Sequence, residues 1–219
     1  MSLFKETSTL LAKELKLEFR QMYALSSLLL YAVATCMVVY MAFVEMEPLS
    51  WVTILWIILL FASLNAIGKS FWQEGQGRNH YYYYLCSPLA IILSKVSYNC
   101  LLLLAISIVT LLIYSLFLGN PVENMGLFLT SIMLGATGFA VNFTLLAGIA
   151  AKADNNATLT AILGFPLIIP LLGMVIRISK NAVLGVESLN TNRDLMMTGS
   201  MIVIAFVLSL VLFPYLWRN

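Results

Sequence analysis

The densest polar chemistry in the chain lies between Lys69 and Lys95, which reads KSFWQEGQGRNHYYYYLCSPLAIILSK. Glu74, Gly75, Gly77, Arg78, Asn79 and His80 sit together, four tyrosines follow, and then comes Ser87-Pro88. A carboxylate, a guanidinium and an imidazole so close could do acid–base or ligand chemistry. His80 is the one histidine of the chain, so it has no second imidazole with which to hold haem or a metal, and a polar loop residue is the plainer reading. Gly68-Lys69-Ser70 has the look of a phosphate-binding loop, but Ser63 stands where that pattern needs glycine, and an apolar run precedes it instead of a strand. The chain therefore carries no ATP site of its own. Cys36, Cys86 and Cys100 lack metal-ligand spacing, and three thiols cannot all pair within one chain. No acid interrupts the middle of an apolar run, and there is no helical zinc-protease motif, membrane serine–lysine dyad or aspartate pair. These absences argue against an intramembrane enzyme and against a proton-coupled carrier. Two readings of the polar segment remain. It is a short docking surface for a soluble partner, or an ordinary interfacial loop whose tyrosines join the aromatic belt. Ser87 as N-cap with Pro88 at the first helical position would start the helix that follows.

The elements that must position this segment come from hydropathy. Of 219 residues, 61% are apolar and 10% charged, with a net charge of +2. A soluble enzyme, a disordered tail and a nucleic-acid binder do not have that composition. Six apolar runs are long enough to cross a bilayer: 22–44, 50–68, 96–118, 127–150, 157–178 and 195–217. Lipid offers no water to an unpaired backbone, so the chain is expected to be an all-α membrane protein, a single membrane-embedded domain over residues 1–219. Ala32-Val33-Ala34 resembles a signal cleavage site, but apolar residues continue to Val44, which favours a retained helix. Basic residues set the orientation. With both termini inside, Lys5, Lys13, Lys16, Arg20, Lys69, Arg78, Lys95, Lys152 and Arg218 lie inside, and Arg177, Lys180 and Arg193 lie outside. The basic fifth loop is the one dissent.

Residues 3–20 form an amphipathic helix expected to lie in the inner interface, its lysines toward anionic lipid. Glu14 and Glu18 break its apolar face. They either snorkel or pair with nearby lysines, or they meet a basic partner surface. The fourth span carries Gly135, Gly138 and Gly148, small residues that let helices approach closely. It also buries Asn142 and Thr144, and Asn156 is placed to cap the next helix. The fifth span carries Pro166 and Pro170, which predict a bent or broken helix serving as a gate or as a static kink.

Glu74, Gly77, Leu85, Ser87-Pro88 and Lys95 resemble the loop signature of type-2 ABC exporter permeases. Lys13-Glu14-Leu15-Lys16-Leu17-Glu18-Phe19-Arg20 resembles the entry segment of one branch, the CcmB family. Leu134-Gly135 through Leu145-Leu146, and Ile162 through Leu171-Leu172 with Pro166 and Pro170, are similar to that family's fourth-to-fifth-span block. The first span and outer loop lack the family's Phe-Pro-Leu and Gly-Pro residues, and Asp154-Asn155-Asn156 is less basic, which marks a divergent branch. The resemblance implies a type-2 ABC permease fold of six transmembrane helices with an N-terminal amphipathic interfacial helix, in the bacterial inner membrane with both termini cytoplasmic. It implies a non-catalytic subunit of a cytochrome c maturation complex. Glu74, Gly77, Arg78, Ser87 and Pro88 would dock on an ATPase subunit (CcmA-like). A haem-handling membrane subunit (CcmC-like) and a haem chaperone (CcmE-like) would complete the complex. No metal or cofactor is expected on this chain, haem and ATP being handled by partners. A lipid, polysaccharide or drug exporter half and an uncoupled assembly scaffold are the rival readings.

Overall fold

The computed structural model describes residues 3–21, 23–43, 45–72, 87–152, 157–186 and 189–218. Seven α-helices and no strands occur among them: α1 (Leu3–Gln21), α2 (Tyr23–Ala42), α3 (Pro48–Trp72), α4 (Pro88–Leu118), α5 (Met125–Lys152), α6 (Ala157–Val183) and α7 (Leu189–Arg218). The six that follow α1 are long and apolar enough to cross a membrane. Every backbone group in such a helix bonds within its own segment, which is why the apolar runs fold this way.

The bundle is built around α5, which touches α3, α4, α6 and α7. Inside the bundle, 78% of the α5 span is buried, against 17% for α2 and 11% for α7. Small residues make that position possible. A methyl group at Gly135 would fall inside the indole ring of Trp56 on α3. One at Gly138 would lie 2.7 Å from Leu171 on α6 and 3.3 Å from Ile202 on α7. Large rings then fill the remaining space: Trp56 meets Phe139 edge-to-face and Phe139 meets Phe143 at a tilt, with centroids 6.0 Å apart in each pair. Gly148 is also buried on α5.

Several helices run past the apolar stretches that announce them. α4 begins at Pro88, well before Val96, and its 31 residues reach about 46 Å, against roughly 30 Å of hydrocarbon. Its first turns therefore extend into the interface, where α1 lies alongside. α6 extends to Val183 and α7 starts at Leu189, so Arg177 and Lys180 stand on α6 and Arg193 on α7. The basic fifth loop is thus mostly helix. α6 is continuous through Pro166 and Pro170 and is not broken there. Both prolines are exposed, so their rings lie on the outer side of the bundle rather than wedged among its helices.

Candidate coupling site and the seams behind it

Glu74, Gly77 and Arg78, with His80 and Cys86, lie outside the described residues, as does Asn156. The structure resumes at Ser87, and the helix starts where the Ser-Pro pair predicts. Ser87 is extended at the N-cap (φ −71°, ψ 139°) and Pro88 opens α4. The backbone carbonyl of Ser87 accepts from Ala90 and Ile91 at 3.0 and 3.2 Å. Its hydroxyl, however, makes no cap bond to its own helix. It donates instead to Glu6 Oε2 on α1 at 2.9 Å.

The acids of α1 divide into two kinds. Glu14 pairs with Lys13 on its own helix at 3.3 Å, as a snorkelling acid would. Glu18 reaches beyond its own helix. Its two oxygens accept from the Tyr98 hydroxyl on α4 at 3.1 Å and from the backbone N–H of Leu25 on α2 at 2.9 Å. A carboxylate on the apolar face is therefore a joint to two other helices. Lys95, placed along α4 between Ser87 and Tyr98, is buried.

Two buried polar seams cross the bundle behind this joint. On the side of the termini, Asn99 on α4 donates to Thr144 on α5 at 2.8 Å, and the Thr144 hydroxyl bonds Ala140 O within its helix. Asn142 turns back onto Gly138 O at 2.9 Å. Nearer the other end, the Trp56 indole N–H on α3 donates to Ser179 on α6 at 2.8 Å, and Ser179 lies 2.7 Å from the Ser131 hydroxyl on α5. Of the two hydroxyl protons, one lies between the serines and the other goes to the backbone carbonyl of Val175 or Phe128. Three helices meet there with no donor left over. Asn142 and Thr144 stand out in the sequence as polar residues in an apolar run; Asn99, Ser131 and Ser179 do not.

The end of the bundle away from the termini is closed by short connections. Asn124 caps α5 by accepting from Leu127 N at 3.0 Å, and its own N–H donates to Ala182 O at the end of α6 at 2.9 Å. Gly185 ends α6 with φ +63°, and Val186 N reaches back to Asn181 O at 3.1 Å. That is the six-to-one closure of a helix end, and it requires a left-handed residue. A Cβ there would also strike the Glu123 carboxylate. Trp51, Tyr114 and Phe128 pack beneath these turns, and the Tyr114 hydroxyl donates to Trp51 O at 3.2 Å. Asp194 on α7 is buried and lies 3.6 Å from the exposed Arg177, while Asn181 donates to Thr191 at 3.0 Å. Leu60, Leu64, Phe143, Phe165 and Ile168 line an apolar crevice between α3, α5 and α6.

None of this arrangement is a catalytic constellation. It is a bundle with a rigid far end, a packed central helix and a charged joint next to the segment that precedes Ser87. The model of the CcmB family, described as CcmB protein, matches residues 5–215, from α1 to the last turns of α7. The chain belongs to the CcmB family. It is a multi-pass membrane protein and, as a member, a permease subunit of the ABC-type cytochrome c maturation haem exporter. The entry segment, the Ser-Pro pair and the α5–α6 block all fall within the matched range. No curated protein matches the chain.

Proposed function

We propose that this CcmB-family chain couples ATP hydrolysis by a partner subunit to release of a haem-loaded chaperone on the other side of the membrane. The match over residues 5–215 carries the reading. Glu74, Gly77, Arg78, Ser87 and Pro88 form the docking segment for the ATPase subunit. Both termini face the cytoplasm in this reading, in agreement with the excess of lysine and arginine on that side. Closure of the ATPase pushes the docking segment, and α4 carries the push into the bundle. α5, close-packed at Gly135, Gly138 and Gly148, passes it to α6. There Pro166 and Pro170 supply the compliance, since each proline lacks the N–H that would tie it to the preceding turn. Haem and ATP stay with the haem-handling subunit, the chaperone and the ATPase, and this chain works mechanically.

The experiment disrupts Glu74 and Gly77 (Glu74→Ala with Gly77→Val) and measures two things: association of the ATPase subunit, and assembly of c-type cytochromes. The expected result is loss of both. Intact association and normal cytochromes would overturn the proposal. Normal cytochromes with an export defect would instead assign the chain to a lipid, polysaccharide or drug exporter.

A further inference from the structure

Where an amphipathic helix is expected to be apolar, α1 meets the bundle through acids. Glu6 Oε2 accepts the Ser87 hydroxyl at 2.9 Å, with the Ser87 backbone N–H at 3.4 Å. Glu18 takes the Tyr98 hydroxyl at 3.1 Å and the Leu25 N–H at 2.9 Å. From Glu6 to Glu18 is twelve residues along α1, and from Ser87 to Tyr98 is eleven along α4. The two contacts advance together, so the helices run side by side in the same direction for about 17 Å. Leu10, between the two acids, packs against the cluster of Ile91, Ile92 and Val96. One contact would leave a pivot; two with apolar packing between them fix both rotation and sliding. The Glu6 contact is also well placed electrostatically, because it sets a carboxylate at the N-terminus of a 31-residue helix. Charge-assisted bonds of this kind are stronger than neutral ones.

We infer that Glu6 is a positioning residue for the docking segment: by holding Ser87, it makes α1 and the start of α4 one rigid strap, so that the segment ending at Cys86 is presented to the ATPase from a fixed base. This inference rests on the reading that the segment is where the ATPase docks. It assigns part of that affinity to a residue far away in sequence that touches no partner. Glu14, whose partner is on its own helix, has no share in it.

The test uses the full chain in nanodiscs and measures its affinity for the purified ATPase subunit. Glu6→Ala is expected to weaken binding about tenfold, the loss of one charge-assisted contact, and Glu14→Gln to leave it unchanged. Glu6→Gln keeps an oxygen that can accept the Ser87 hydroxyl and is expected to retain binding to within about twofold of the unchanged chain. Lower thermal stability of Glu6→Ala in step with its lost binding would mark a merely structural role and overturn the positioning role. In a Cys86→Ser background, the pair Glu6→Cys with Ser87→Cys is expected to form a disulfide on oxidation, read by mass. Unchanged affinity in Glu6→Ala, alongside lost affinity in Glu74→Ala, would overturn the strap and keep the docking reading. Unchanged affinity in both would overturn the docking reading itself. Failure of the disulfide to form in a folded chain would overturn the contact without reference to any partner.

Discussion

α5 and α1 both lie against α4, and they are held in the bundle by opposite means. α5 is held by shape. Gly135 and Gly138 let Trp56, Leu171 and Ile202 close against its backbone, and its polar side chains bond neutral partners such as Asn99 and Ser179. α1 is held by charge. Glu6 and Glu18 supply the joint, with leucines filling the space between. The difference follows from the surroundings. A carboxylate buried among apolar side chains at the bilayer centre is costly, so the central helix relies on contact distance and neutral hydrogen bonds. At the interface, where water is near, a carboxylate is cheap to keep charged and binds strongly. Both joints hold one arrangement. The contrast assigns the central frame of the machine to α5 with α3 and α6, and the strap at its edge to α1 with the start of α4.

The sharpest way to break the contrast is to overfill the shape joint. Gly135→Leu drives a side chain into the Trp56 ring and is expected to cost about 3 kcal/mol or more. A fluorescence-monitored size-exclusion profile of the solubilised chain checks it; a monodisperse, heat-resistant peak would contradict the account of α5. Trp56→Phe keeps the ring but removes the donor to Ser179. The expected cost is about 1–2 kcal/mol, read as a lower midpoint of thermal aggregation, and Ser179→Ala in the same background should add only what its contact with Ser131 is worth, since the bond to Trp56 is already gone. On the charge side, Tyr98→Phe removes one hydrogen bond to Glu18, keeps the Leu25 contact and should cost about 1 kcal/mol. Its effect should fall mainly on the attachment of α1, seen as faster proteolysis near the N-terminus with the rest of the bundle unchanged. Smallest of all, Glu14→Gln removes a pair within one helix and is expected to shift stability by about 0–0.5 kcal/mol. If Glu14→Gln matched Tyr98→Phe in protease sensitivity, the division of the α1 acids into two kinds would fail.

Hydropathy was enough to read the six spans, because lipid leaves a polar-free 20-residue run few other fates. The amphipathic α1 was equally legible from the arc of Lys5, Lys13, Lys16 and Arg20. Ser87-Pro88 announced the start of α4, but the sequence pattern pointed to a self-capping hydroxyl, and the actual acceptor is Glu6, 81 residues away. What stayed hidden shares one cause. A helix surrounded by lipid and apolar neighbours is apolar on every side, so nothing in its residue pattern tells which side faces the bundle. The seam of Trp56, Ser131 and Ser179 depends on that rotation, as does the contact of Asn99 with Thr144. The lengths of α4, α6 and α7 were underestimated for a related reason. Helices continue past the hydrocarbon wherever capping and neighbours support them, as Asn124 and Gly185 show at the far end, and hydropathy alone marks only the part inside it.

The central claim is that this CcmB-family chain works as the membrane half of an ATP-driven complex. Its most direct test is to pull the tagged chain from native membranes in mild detergent and identify by mass what comes with it. The account predicts an ATPase subunit together with haem-handling membrane subunits. Recovery of an intact chain with no ATPase, from membranes in which the complex is shown to survive the detergent, would contradict it.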